Sequence, residues 1–176
     1  ADKTRILDHM ADILAAASQA RRAGKIGAFG LSNETAWGLA RWCDVADRTG
    51  APRPVAIQNE YSLMGRLADT DLAELMVNED VSLLPFSPLA AGLLTGKYQD
   101  GALPKGSRMA LNGDLGGRKG PRAFEAVAAY HKVAAEFGID PVHFGLIMIT
   151  NLALGMITPP FGVNLFAACA VANIGL

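Results

Sequence analysis

From Val142 to Leu176 the chain carries no Asp, Glu, Lys or Arg; every charged residue lies at or before Asp140. This asymmetry limits the fold more than any average does, because a helix that ends a water-soluble domain needs a polar face. The segment beginning at Phe144 is interrupted only by Thr150, Asn151, Thr158, Asn164 and Asn173, and Pro159-Pro160 breaks it into two runs. Each run falls short of the ~20 residues of a membrane-spanning helix. Ala153, Gly155 and Gly162 permit close helix contact. An unwound break within an apolar segment is tolerated where it lines a protein-buried or ion-coordinating cavity. The sequence therefore divides into a charged part, residues 1–137, and an apolar, Pro-Pro-broken helical part, residues 138–176.

The charged part reads as α/β. Ile6, Met10, Ile13, Leu14 and Ala17 recur at helical spacing and end near Gly24. Lys25–Leu31 is short and apolar enough for a buried parallel strand. Ser32-Asn33-Glu34-Thr35 then signals a helix start, with Trp37, Leu39, Trp42 and Val45 as anchors before Gly50 and Pro52 stop it. Val55–Gln58 and Val81–Pro85 are further strands, separated by a helix over Asp69–Asn78. Such a β–α beat implies a parallel sheet with right-handed crossovers. A complete (β/α)8 barrel needs ~250 residues, so three such units in a 176-residue chain predict a partial barrel with open edges.

A net charge of −1 gives no basis for a nucleic-acid surface. Cys43 and Cys169 lie far apart and in no metal-ligand spacing, which predicts buried free thiols and no metal site. In α/β folds ligands gather at the carboxyl ends of strands. Those ends carry Ser32-Asn33, Gln58-Asn59 and Phe86-Ser87-Pro88-Leu89, whose amides and hydroxyls suit a neutral polar group such as a carboxamide. Equally, Ser32 and Asn33 could simply cap the next helix, and Gln58 could satisfy loop backbone.

Three ordered blocks carry a family resemblance: Gly24-Lys25-Ile26 through Gly30-Leu31-Ser32-Asn33-Glu34; Ile57-Gln58-Asn59-Glu60-Tyr61-Ser62-Leu63; and Pro85-Phe86-Ser87-Pro88-Leu89 with Gly92-Leu93-Leu94-Thr95-Gly96-Lys97-Tyr98. Over about residues 6–137 they resemble the aldo-keto reductases, in particular the potassium-channel β-subunit-like branch. The resemblance implies a (β/α)8 TIM barrel, NADP as cofactor, and a cytoplasmic setting. By position, Ser32, Asn33 and Gln58 match the residues that hold the nicotinamide carboxamide. Phe86 matches the aromatic that stacks on the nicotinamide, and Ser87, Pro88, Leu89, Ala90 and Ala91 match the loop that wraps the pyrophosphate. Lys97 and Arg108 resemble cationic contacts from the loop that folds over the cofactor, although a solvated surface suits them nearly as well. Gln99-Asp100-Gly101 and the run Gly113–Gly120 mark a long, mobile loop.

The family's Asp–Tyr–Lys–His catalytic tetrad has no counterpart in these residues. His9 sits inside a helical pattern, and Tyr61 and Tyr98 belong to later segments. The eighth strand, with its contacts to the 2′-phosphate, should follow the Pro121–Phe137 helix and does not appear. No catalytic residue is therefore assigned, and the isolated chain is expected to be inactive as a reductase.

The second part has its own resemblance. Gly138-Ile139-Asp140-Pro141-Val142-His143-Phe144-Gly145, Asn151-Leu152-Ala153 and Ile157-Thr158-Pro159-Pro160-Phe161-Gly162-Val163-Asn164-Leu165-Phe166 are similar, over about residues 137–176, to the large membrane subunit of tripartite ATP-independent periplasmic (TRAP) transporters. That likeness implies inner-membrane association through residues 144–176, with Asn151, Thr158 and Asn164 in an ion or substrate region or simply bonding between helices. The rival readings are a transporter fragment fused to a soluble piece and a non-catalytic binding module. With its barrel neighbours absent, the sheet is expected to have its edges either exposed or covered by residues 144–176.

Overall fold

The computed structural model describes residues 2–140 and 143–147. Helix α1 (Lys3–Arg22) leads to strand β1 (Gly30–Ser32), helix α2 (Ala36–Thr49), strand β2 (Ala56–Glu60), helix α3 (Asp71–Glu79) and strand β3 (Ser82–Phe86). A short helix α4 (Arg108–Leu111) and a longer α5 (Ala123–Glu136) follow, with 3₁₀ turns at Leu67–Asp69, Ala90–Thr95 and Gln99–Gly101. The described residues fall into two units, one within Ala1–Asn59 and Leu67–Leu84, the other within Glu60–Arg66 and Pro85–Leu176.

The strands form one sheet in the order β1-β2-β3. β1 and β2 pair in parallel, with Gly30, Leu31 and Ser32 opposite Ala56, Ile57 and Gln58. A Cβ on Gly30 would come within 2.9 Å of the Ala56 carbonyl oxygen, so only glycine allows this approach. The expected strand over 25–31 is cut to three residues and shifted. Lys25–Ala28 are exposed and Gly24 turns left-handed at φ 66°, so the chain reaches the sheet only when the Phe29 carbonyl accepts from Val55 N–H.

In the first unit Met10 and Leu14 of α1 pack with Trp42, Val45 and Ala46 of α2. Two expected anchors fail: Ile13 is 41% exposed and Trp37 50% exposed. Both sit outside the faces of their helices that bury Met10 and Leu14 of α1 and Leu39, Trp42 and Val45 of α2. The α2 ends match its sequence signals, with Thr35 Oγ1 accepting from Gly38 N–H at 3.0 Å and Gly50 closing the helix at φ 66°.

In the second unit the core gathers Ala90, Leu93, Leu94, Tyr98, Met109, Leu115, Ala123 and Val127. The segment expected as one long mobile loop is thus partly built into a core. Met109 sits on α4, and Leu115 is buried within the run Gly113–Gly120. His143–Ile147 is helical, and the Phe144 ring meets His131 of α5 edge-on at 6.4 Å. No helix among the described residues is long and apolar enough to cross a membrane. Asn151, Thr158, Asn164, Cys169 and the expected packing of the apolar segment over the sheet lie outside the described residues.

Candidate cofactor-binding residues

In the first unit the strand register alone brings Ser32 and Gln58 side by side. The chain leaves β1 through Asn33 in the left-handed conformation, φ 53°, which asparagine adopts more readily than most residues. Asn33 N–H donates to the Gln58 carbonyl at 2.9 Å and its side-chain amide donates to Ser32 Oγ at 3.2 Å. All three side chains are exposed at the carboxyl ends of their strands. Asn59, read from the sequence as a strand-end amide suited to a ligand, instead fixes this corner. Its Oδ1 accepts from Glu34 N–H at 3.1 Å and its Nδ2 donates to the Glu34 carbonyl at 2.8 Å. Glu34 in turn accepts from Trp42 Nε1 at 3.1 Å, tying the turn to the core. Capping belongs to Thr35, which leaves the Ser32 hydroxyl and the Gln58 amide out of the helix start.

In the second unit the site residues lie on an irregular loop. Phe86 ends β3 and is half-buried. Ser87, Ala90 and Ala91 all take positive φ (54°, 49° and 58°), a conformation that costs an L residue roughly 1–2 kcal/mol each. The surrounding core over-determines it: Ala90 is fully buried and Ala91 is 8% exposed. Ala90 N–H is already spent on the Ser87 carbonyl at 2.8 Å, so among the expected loop residues Ala90 is a packing element. Ser87, Pro88, Leu89 and Ala91, by contrast, line a cavity of about 770 Å³. Lys97 and Arg108 line the same cavity from two further turns of chain, and both are exposed.

Several residues brace the Ser87–Lys97 segment through contacts that the sequence did not make legible. Arg118 Nε donates to Glu60 Oε1 at 2.6 Å, Nη1 to the Leu115 carbonyl at 2.8 Å, and Nη2 to Ser87 Oγ at 3.4 Å. It thus holds the one hydroxyl of the loop. Gly92 sits at φ 96°, and a Cβ there would meet Lys97 Cε at 2.9 Å, so glycine makes room for the lysine stem. Gly96, at φ 74°, makes room for the His131 ring, whose Nε2 lies 2.9 Å from the Leu94 carbonyl. The Gly-Leu-Leu-Thr-Gly spacing was the only sequence signal for these two contacts.

Cys43 is a buried free thiol, as expected. Burial pushes it above the usual thiol value, partly offset by the Arg53 guanidinium, which also bridges Asp47 and Glu79. His9 is exposed on α1. Among the described residues no group of His, Cys, Asp and Glu could hold a metal ion.

Residues 3–151 match the aldo/keto reductase family, and residues 127–176 match the DctM component of tripartite ATP-independent periplasmic transporters. The Escherichia coli Protein tas is 44% identical over 138 residues, covering 78% of this chain and 40% of that protein. A probable voltage-gated potassium channel subunit beta of Arabidopsis thaliana is 38% identical over 84 residues, 43% of this chain and 26% of that protein. The isethionate TRAP transporter permease protein DctMQ of Oleidesulfovibrio alaskensis is 61% identical over 41 residues, 23% of this chain and 6% of that protein. The chain therefore spans about two fifths of the length of its tas relative. The family implies a (β/α)8 fold, of which a three-stranded parallel sheet with flanking helices is a consistent part. By its match over residues 3–151, the chain belongs to the aldo/keto reductase family.

Proposed function

We propose that residues 1–137 form the cofactor-gripping portion of an NADP(H)-dependent aldo-keto reductase, and that the 176-residue chain by itself binds the cofactor weakly without reducing carbonyls. The observation that carries this reading is the cavity of about 770 Å³ on which Ser87, Pro88, Leu89 and Ala91 converge with Lys97 and Arg108. Its volume lies within the ~300–1,000 Å³ of small-molecule sites. Two exposed cations and a fixed hydroxyl suit a diphosphate, which draws charge-assisted hydrogen bonds. Among the family positions, Ser32, Asn33 and Gln58 would take the carboxamide through donors and acceptors already turned outward, and Phe86 would offer its ring face.

When bound, NADPH supplies a hydride. These residues orient it and supply no proton. General acid catalysis typically contributes roughly 10²–10⁴-fold, and no residue at a matched position of this chain is assigned that task. The test is paired. Titrating the 176-residue chain with NADPH should give saturable fluorescence change, while an aldehyde added to the saturated complex should leave NADPH unconsumed. No binding up to millimolar NADPH would remove the cradle, and turnover would remove the claim of inactivity.

A second reading concerns residues 138–176 alone, favoured by the 61% identity to a TRAP permease over 41 residues. The two family matches overlap across 127–151, which supports a seam near Phe137. On this reading Asn151, Thr158 and Asn164 are remnants of an ion or substrate region. The reductase-like part is cytoplasmic, and the apolar part associates with the inner membrane. A chain that stays soluble and monodisperse without detergent would contradict membrane insertion.

A further inference from the structure

Tyr98 is 1% exposed, yet it is bracketed by the polar groups of the cavity wall. Its hydroxyl accepts from Met109 N–H at 3.3 Å, across eleven residues of sequence, at the base of the short helix that carries Arg108. The Lys97 ammonium stands 5.1 Å from the centre of its ring. The position that Gly92 keeps free of a Cβ lies 3.4 Å from the same hydroxyl and 3.0 Å from Lys97 Nζ. A single buried side chain therefore joins the two turns: its face meets the Lys97 ammonium, and its hydroxyl meets Met109 N–H, Ser107 and Lys97.

We propose that Tyr98 is a positioning residue that fastens the Arg108 turn to the Lys97 side of the cavity, so that the two cations meet one diphosphate-class anion together. The inference rests on the anion reading of that cavity. Two kinds of contact support this role. The Lys97 ammonium is held partly by the ring face, which phenylalanine would keep, and partly by the hydroxyl, which it would lose. A buried hydroxyl that accepts an amide N–H is held by geometry that phenylalanine would lose. Burial alone would raise the phenol, but the Met109 amide, Ser107 and Lys97 together carry it below its usual value, in keeping with a hydroxyl oxygen that mainly accepts.

The test uses Tyr98→Phe in the 176-residue chain. Amide hydrogen exchange at Met109 and Ala110 should speed up about fivefold or more, the loss of one buried hydrogen bond, while Val127 in α5 keeps its protection and reports that the unit still folds. Unchanged exchange at Met109 would overturn the tether. Kd for NADPH should then rise by a similar factor. Tyr98→Phe with Arg108→Ala should bind no worse than Arg108→Ala alone, and Tyr98→Phe with Lys97→Ala should lose less than the product of the two single losses. A product of losses with Arg108→Ala would overturn the shared role, because a merely structural tyrosine would weaken every contact alike. If the wild-type chain binds neither NADPH nor inorganic pyrophosphate while the exchange effect persists, the anion reading fails and the tether alone stands.

Discussion

The two groups of candidate residues are built on opposite principles. Ser32, Asn33 and Gln58 sit where regular strands end, placed by sheet register and by one asparagine clamp. Ser87, Leu89, Ala91, Lys97 and Arg108 sit on a loop with little regular structure, held by left-handed non-glycine residues over a dense small core. A strand-end site inherits its geometry from the backbone ladder and tolerates change nearby. A loop site must be over-determined by packing, so its weak points are the contacts that hold the loop.

The largest effect should therefore fall in the second unit. Gly96→Ala puts a Cβ into the His131 ring at φ 74°, and should destabilise by about 2–5 kcal/mol from strain plus overpacking. Gly27→Ala in the first unit meets nothing within 4 Å and should stay within about 0.5 kcal/mol of wild type. Chemical denaturation of both variants checks the contrast, and equal losses would break it.

Next in size, Asn59→Ala removes both bonds to Glu34 and should cost about 1–3 kcal/mol. It should also weaken NADPH binding through Ser32 and Asn33, whereas Asn78→Ala, which removes one exposed bond within α3, should do neither. Urea melts with parallel NADPH titrations measure both.

A third prediction concerns pH. The folded-state value of Cys43 is raised, so the thiol contributes stability that is fully present below the unfolded-state value and is lost as pH rises through the folded one. Stability should therefore fall on the alkaline side of the ordinary thiol range, and Cys43→Ala should flatten that fall while paying a constant packing cost at neutral pH. An identical alkaline slope in both proteins would exclude Cys43 as its source.

The smallest expected difference is between cofactors. The family's contacts to the 2′-phosphate have no counterpart among the matched positions, so NADPH and NADH should bind within about threefold of each other, less than the ~1.4 kcal/mol that separates tenfold affinities. A preference well above tenfold for NADPH would reveal a phosphate contact elsewhere in the chain.

What the sequence made legible follows the same division. The α2 boundaries followed from Thr35 and Gly50, and the second and third strands from short apolar runs. The first strand was overestimated because Lys25–Ala28 looks apolar but has no ladder partner. Trp37 and Ile13 were misread because helical periodicity marks apolar positions flanking the buried face as well as those within it. In the loop, motif matches named Ser87, Leu89 and Lys97. The roles of Arg118, Tyr98 and His131 arise only from long-range contacts that no local pattern records.

The proposal that residues 1–137 hold a nicotinamide dinucleotide through the family-matched positions is tested by hydrogen exchange on the 176-residue chain with and without saturating NADPH. Added protection is expected at residues 32–34 and 58–59 and at residues 87–97 and 106–111. Protection confined to one group, or absent from both while NADPH is bound, would contradict it.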